Sequence, residues 1–207
     1  MKLRLLINKI VKLLININFE KRELVIMTKI VNKQEAIKKA REVYNQLFDE
    51  DSAILFDEYA TDLNRVLKHF ELKAYMVDMQ ENFSHIPEFS AADVSGFLLK
   101  TGKDSKIYVD KNQAPYRRRF SIAHEIGHFA LNHLETKELD ILFRDDLSSN
   151  GSCPEEIAAN AFAAELLMPE NLIKYIYNEN NSVLKTAIAF AVSEQAVRFR
   201  LKNLGVL

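Results

Sequence analysis

Apolar positions recur at helical spacing over most of the chain, interrupted once by a cluster of strand-like runs. Between Asn32 and Phe48, Ala36, Ala40, Val43, Tyr44 and Leu47 fall three or four residues apart, the spacing of one buried helix face. Leu55 to Phe70 predicts a second helix, with Leu63, Val66, Leu67 and Phe70 on one side. Leu72 to Val77, Val94 to Leu99 and Lys106 to Val109 predict three strands. The last two are joined by the polar turn Thr101-Gly102-Lys103-Asp104. From Tyr116 to His133 the helical period returns. Phe120, Ile122, Ala123, Ile126, Phe129, Ala130 and Leu131 cover much of the circumference, as in a largely buried helix. Leu147 to Pro154 reads as a loop of Ser, Asn, Gly and Pro. Glu155 to Met168 is an Ala-rich helix stopped by Pro169. Pro169 to Tyr177, Val183 to Phe190 and Glu194 to Asn203 are further helices. Helices, a small antiparallel or mixed sheet, then helices again make an α+β fold.

Composition narrows this picture. A chain of 207 residues with 48% apolar and 28% charged positions can bury a core of its own and is neither disordered nor fibrous. Its net charge of −1 gives no global positive field for nucleic acid. The single cysteine, Cys153, excludes an internal disulfide framework and fits a reducing cytoplasm. It also excludes a multi-thiolate metal site, so any metal must be held by histidines and carboxylates.

The first 26 residues stand apart. They are rich in Leu, Ile, Asn and Lys, but the uncharged stretch Leu13 to Phe19 is far too short to span a bilayer. No small-residue cleavage site follows the basic start. Read as a helix, the segment gathers Lys2, Lys9, Lys12 and Asn16 on one face, which would suit a membrane surface. The reading preferred here is a non-native or disordered extension. Lys21-Arg22-Glu23 can be encoded by a purine-rich stretch resembling a ribosome-binding site, a few codons before Met27.

The chemistry concentrates in His124-Glu125-Ile126-Gly127-His128. Two histidines four apart on a helix lie one turn apart on one face, and both imidazoles can reach one ion at about 2.0–2.1 Å. Glu125 is displaced by one residue, where a general base must sit to take a proton from an attacking water. Gly127 costs a helix about 1 kcal/mol against Ala and makes sense where another element approaches the backbone closely.

A catalytic zinc usually has three protein ligands and one open position. Glu155, Glu156 and Glu165 on the Ala-rich helix are candidates for the third. Glu156 and Asn160 share a face, so a ligand carboxylate and an amide that orients one histidine form a sensible pair. Glu165, nine residues on, points to the opposite side. Glu155 suits a helix N-terminus. His133 lies off the ligand face and reads as structural or supporting. His69 and His85 read as surface or loop residues, and Cys153 as an incidental thiol.

Arg118 to His128, followed by Glu156 to Pro169, resembles the ImmA/IrrE family of metallopeptidases. Val192 to Ala196 and Arg200 to Gly205 are similar to that family's closing helix pair, and the resemblance runs from about Lys33 to Leu207. It implies a zincin-like helical domain with a gluzincin-like Zn2+ site: His124, His128 and Glu156 as ligands, Glu125 as catalytic base, Asn160 beside them. It also implies a cytoplasmic endopeptidase that cleaves a helix-turn-helix repressor encoded nearby, relieving repression in a mobile-element, stress or defence operon. The family commonly carries an acidic residue where this chain has Ala158, which leaves less negative charge near the metal.

Residues 27–180 are therefore expected to form the peptidase domain, with residues 181–207 a helical pair packed on it. The strand Lys106, Ile107, Tyr108 and Val109 is expected to bind substrate by β-addition. The competing reading takes the last two helices, with Arg198, Arg200 and Lys202, as a helix-turn-helix. The chain would then be a DNA-binding or DNA-sensing regulator, or a toxin–antitoxin component.

Overall fold

The computed structural model describes residues 32–56, 58–83, 95–101, 104–133, 141–143 and 153–207. Residues 1–26, His85 and most of the loop expected before Pro154 lie outside them. The first helix, α1, spans 32–47 and buries Ala36, Ala40, Val43 and Tyr44, the face its periodicity predicts. The single helix expected over Leu55 to Phe70 is instead two, α2 (Glu50–Phe56) and α3 (Leu63–His69). The break has identifiable causes. Tyr59 is buried against the ring of Phe190, with centroids 6.0 Å apart. The Thr61 hydroxyl donates to the Leu166 carbonyl at 2.8 Å. Asp62 then caps a new helix by accepting from the Asn64 N–H, satisfying a donor with no partner inside the helix.

Strand β1 (Lys73–Val77) is followed by the one-turn helix α4 (Met79–Phe83). Five residues are too few for a periodic signal, so α4 is not foreseen. Its start is set by Asp78, which accepts from the Glu81 N–H at 3.0 Å. Strands β2 (Gly96–Thr101) and β3 (Asp104–Asp110) form the expected antiparallel hairpin, pairing Thr101 with Asp104. A three-residue strand, β4 (Ile141–Phe143), pairs antiparallel with β2 and is likewise too short to read from pattern. β1 runs parallel to β3, so the sheet is mixed, in the order β1-β3-β2-β4. The fold is α+β.

This order corrects the β-addition reading. β3 is an inner strand: Lys106 to Val109 pair with Lys73 to Met76 on one side and with Gly96 to Leu99 on the other. Its backbone groups are committed on both edges, and Ile107 and Val109 are fully buried. No edge is left to accept a substrate strand.

The long helix α5 (Pro115–Ala130) packs on β2 and β3 and against α6 (Pro154–Leu167). Both open with proline at the first turn, where a missing N–H costs nothing. The paired arginines before the histidine motif anchor α5. Arg118 donates to the carbonyls of Lys111 and Gln113 at 2.7 and 2.9 Å, and Arg119 to that of Thr61 at 2.8 Å. Helices α7 (Glu170–Asn180), α8 (Val183–Phe190) and α9 (Glu194–Asn203) complete the chain. Ser182 and Ser193 cap the last two, accepting from Lys185 and Ala196 N–H groups.

The C-terminal helices are tied down by charge as well as by Val197 and Leu201. Arg200, 6% exposed, pairs with buried Glu165 of α6 and donates to the Met168 carbonyl. Glu165 also accepts from Arg41 of α1 at 2.7 Å. Sequence spacing rules Glu165 out as a metal ligand but gives no sign that it joins three helices. Among the described residues, no helix is long and apolar enough to cross a membrane.

Candidate metal centre

α5 and α6 lie antiparallel, so His124 meets Asn160 and His128 meets Glu156. Their closeness depends on Gly127. A Cβ there would lie 3.2 Å from the Ala159 carbonyl oxygen and 3.2 Å from Phe162 Cβ. Ala158, Ala159 and Ala163 keep the α6 side equally thin, each 0–1% exposed. Ala158 is part of this apolar packing.

The close approach brings three donor atoms together. His124 Nε2 and His128 Nε2 are 2.9 Å apart, and the Glu156 oxygens lie 3.2 and 3.1 Å from them. Ligand atoms about 2.0–2.1 Å from one tetrahedral ion sit roughly 3.3 Å apart. The triangle therefore fits an ion of that size, and two imidazoles with a carboxylate are a donor set suited to zinc. Among the described residues these three form a group able to hold a metal.

Both histidines are held from behind. With Nε2 turned to the shared centre, the ligand histidines carry their protons on Nδ1. His124 Nδ1 donates to Asn160 Oδ1 at 3.0 Å, and His128 Nδ1 donates to His133 Nδ1 at 2.9 Å. Burial, reinforced by the neighbouring His128, pushes the His133 pKa down to about 4 against the pull of Glu155 and Glu156. His133 is thus neutral and able to accept. It reaches back because Asn132 turns the chain left-handed, with φ 56°, and its own N–H bonds the His128 carbonyl. The sequence places His133 off the ligand face; the Asn at a helix end is the signal that returns it.

Burial alone would raise the Glu156 carboxyl, but the His124 and His128 contacts outweigh it and hold the group well below the carboxylate range. Glu156 is therefore anionic, as a ligand must be. Glu155 is exposed and turned elsewhere, accepting from the Cys153 thiol at 2.6 Å. Glu125 is 1% exposed, in the same helical turn as both histidines. Lys106 to Val109 take no part in this cluster.

The sequence matches the IrrE N-terminal-like domain of the M78 peptidases over residues 85–202. That is more than half of the chain and includes every residue of the cluster. The chain belongs to this peptidase family. A search among curated proteins finds no match. The M78 assignment makes the protein a peptidase of the IrrE type with a polypeptide substrate, and the triangle between α5 and α6 is its candidate metal centre.

Proposed function

We propose that the protein is a zinc-dependent endopeptidase. The observation that carries this reading is the convergence of His124, His128 and Glu156 within hydrogen-bonding distance of one another, beside buried Glu125. His124, His128 and Glu156 would hold the ion, which would supply polarisation of the scissile carbonyl and acidification of water. Asn160 and His133 fix the two imidazoles so that both Nε2 lone pairs face one point. Glu125 takes the proton of the attacking water and passes it to the departing amine. Its burial keeps that proton from bulk solvent.

The family resemblance supports a substrate of the helix-turn-helix repressor class in the cytoplasm. Cleavage would relieve repression of a mobile-element, stress or defence operon. The DNA-binding alternative loses one of its three cations, because Arg200 is buried against Glu165.

The test is sequencing of the neighbouring genes and co-expression with any helix-turn-helix repressor found there; a neighbourhood without one refutes the nearby-repressor reading. Wild type cleaves that repressor, and Glu125→Gln retains zinc by metal analysis but leaves the repressor intact. Full cleavage by Glu125→Gln refutes the assigned base. An intact repressor with zinc-loaded wild type refutes the substrate.

A further inference from the structure

The groove that holds the metal donors does not end with them. On α5, Arg117, Phe120 and Ser121 continue the face of His124 and His128 toward the helix N-terminus. On α6, Ala164 and Met168 continue the face of Glu156 and Asn160. Over this extension α9 lies as a third wall, and together they enclose a cleft of about 350 Å³ lined by Phe120, Ala164, Met168, Ala196 and Phe199, with Asn160 at the end nearest the donors. At 1.5 Å per residue the cleft begins about 5 Å along the helices from the donors. Neighbouring residues of an extended peptide are about 3.3 Å apart. A side chain flanking the scissile bond therefore falls at its mouth. Small residues, Ala164 and Ala196, leave the volume open, and aromatic rings bound it.

We infer that this cleft is a specificity pocket for a large apolar side chain next to the scissile bond, which gives α9 a role in binding peptide. The inference rests on the peptidase reading for its occupant. Its volume and its apolar walls, with polar groups of Arg117, Ser121, Asn160, Gln195 and Asn203 around them, match side-chain recognition sites, and it meets the metal donors through Asn160, which bonds His124. A second apolar groove, with exposed Leu184 and Ile188 beside Pro115 and Tyr116, lies on the outer side of α8 and shares no wall with α6.

The test is methyl NMR of the full chain, titrated with N-acetyl-phenylalaninamide and with N-acetyl-serinamide, with zinc and after chelation. The Ala164, Met168 and Ala196 methyls are expected to shift saturably, at least tenfold more tightly with the phenylalanine compound. Ala196→Phe should abolish the response. Phe199→Ala, at an exposed position, should weaken it at least threefold without loss of fold. Equal affinity for both compounds, no saturable shift, or shifts at Ala187 and Ile188 in their place would overturn the inference. In parallel, mass spectrometry of a random peptide mixture should show large apolar residues beside the cut for wild type and small ones for Ala196→Phe. Cuts without such preference overturn it too. If no peptide is cut yet the methyl shifts occur as expected, the peptidase reading fails and the apolar side-chain site stands.

Discussion

Gly127→Ala tests the close approach of α5 and α6 most directly, because it adds one methyl and sets two effects of opposite sign against each other. An alanine inside a helix gains about 1 kcal/mol over glycine. Here the new methyl would sit 3.2 Å from Phe162 Cβ, Phe162 Cδ1 and the Ala159 oxygen. Relaxed carbon contacts lie at about 3.5–4.0 Å, so α6 must retreat by a few tenths of an ångström. Phe162 and Ala159 are fully buried and cannot swing aside. Overpacking of this kind costs about 1–3 kcal/mol, so the metal-free protein should lose between about 0 and 2 kcal/mol. The metal effect should be larger in proportion. Ala159 sits between Glu156 and Asn160, so a retreat there moves a donor and an orienting amide together. Disturbing such supports costs roughly 10–100-fold in metal affinity. Thermal unfolding of the chelated protein and zinc competition with a chromophoric chelator measure the two separately. A variant as stable as wild type, with unchanged zinc affinity, would show that the glycine is not there to admit α6.

Glu156→Ala should bind zinc far more weakly than wild type, whereas Glu155→Ala should not; metal analysis after dialysis ranks them, and the reverse order would name the wrong ligand. His133→Phe should fold but weaken zinc binding about 10–100-fold, because His128 Nδ1 loses its acceptor; an unchanged chelator-competition curve would refute the supporting role. Glu165→Ala should destabilise by about 3–5 kcal/mol by leaving Arg200 buried and unpaired, read as a lowered denaturation midpoint. Glu165→Leu combined with Arg200→Met should recover most of that loss, and no recovery would mean that the pair contributes more than mutual neutralisation.

What could be read from sequence and what could not separate along physical lines. His124, Glu125, His128, Glu156 and Asn160 are carried by the 3.6-residue period of two helices, so their shared faces follow from spacing alone. Gly127 announces a close neighbour by its cost to the helix, although nothing in the spacing says that the neighbour is α6. His133 is hidden because its role depends on the left-handed turn at Asn132, which no periodicity describes. The joining of α1, α6 and α9 through Glu165 is hidden for another reason. Arg41 and Arg200 lie 124 and 35 residues from it, and pairing between distant charges leaves no local trace. The β-addition reading of Lys106 to Val109 failed on topology. Alternating polarity identifies a strand but cannot say whether it lies at an edge, and β1 returns parallel to β3 to cover the side that a hairpin alone would leave open.

That correction reaches into the peptidase reading itself. With β3 enclosed, substrate cannot be aligned by that strand, and the proposed cleft puts recognition on the helices that flank the donors. In that proposal the α5–α6 groove leads from the donors through Asn160 to the cleft, and α9 forms its third wall. Arg200 is the link that makes this arrangement durable. It is set on the buried face of α9 and held by Glu165 one α6 turn beyond Ala161, so the wall is fastened to the same helix that supplies Glu156. Weakening the Glu165–Arg200 pair should therefore loosen the cleft before the metal triangle. In a variant mild enough to stay folded, such as Arg200→Lys, KM for an apolar-flanked peptide should rise several-fold while zinc affinity holds. A fall in zinc affinity with unchanged KM would mean that α9 supports the donors and not the substrate.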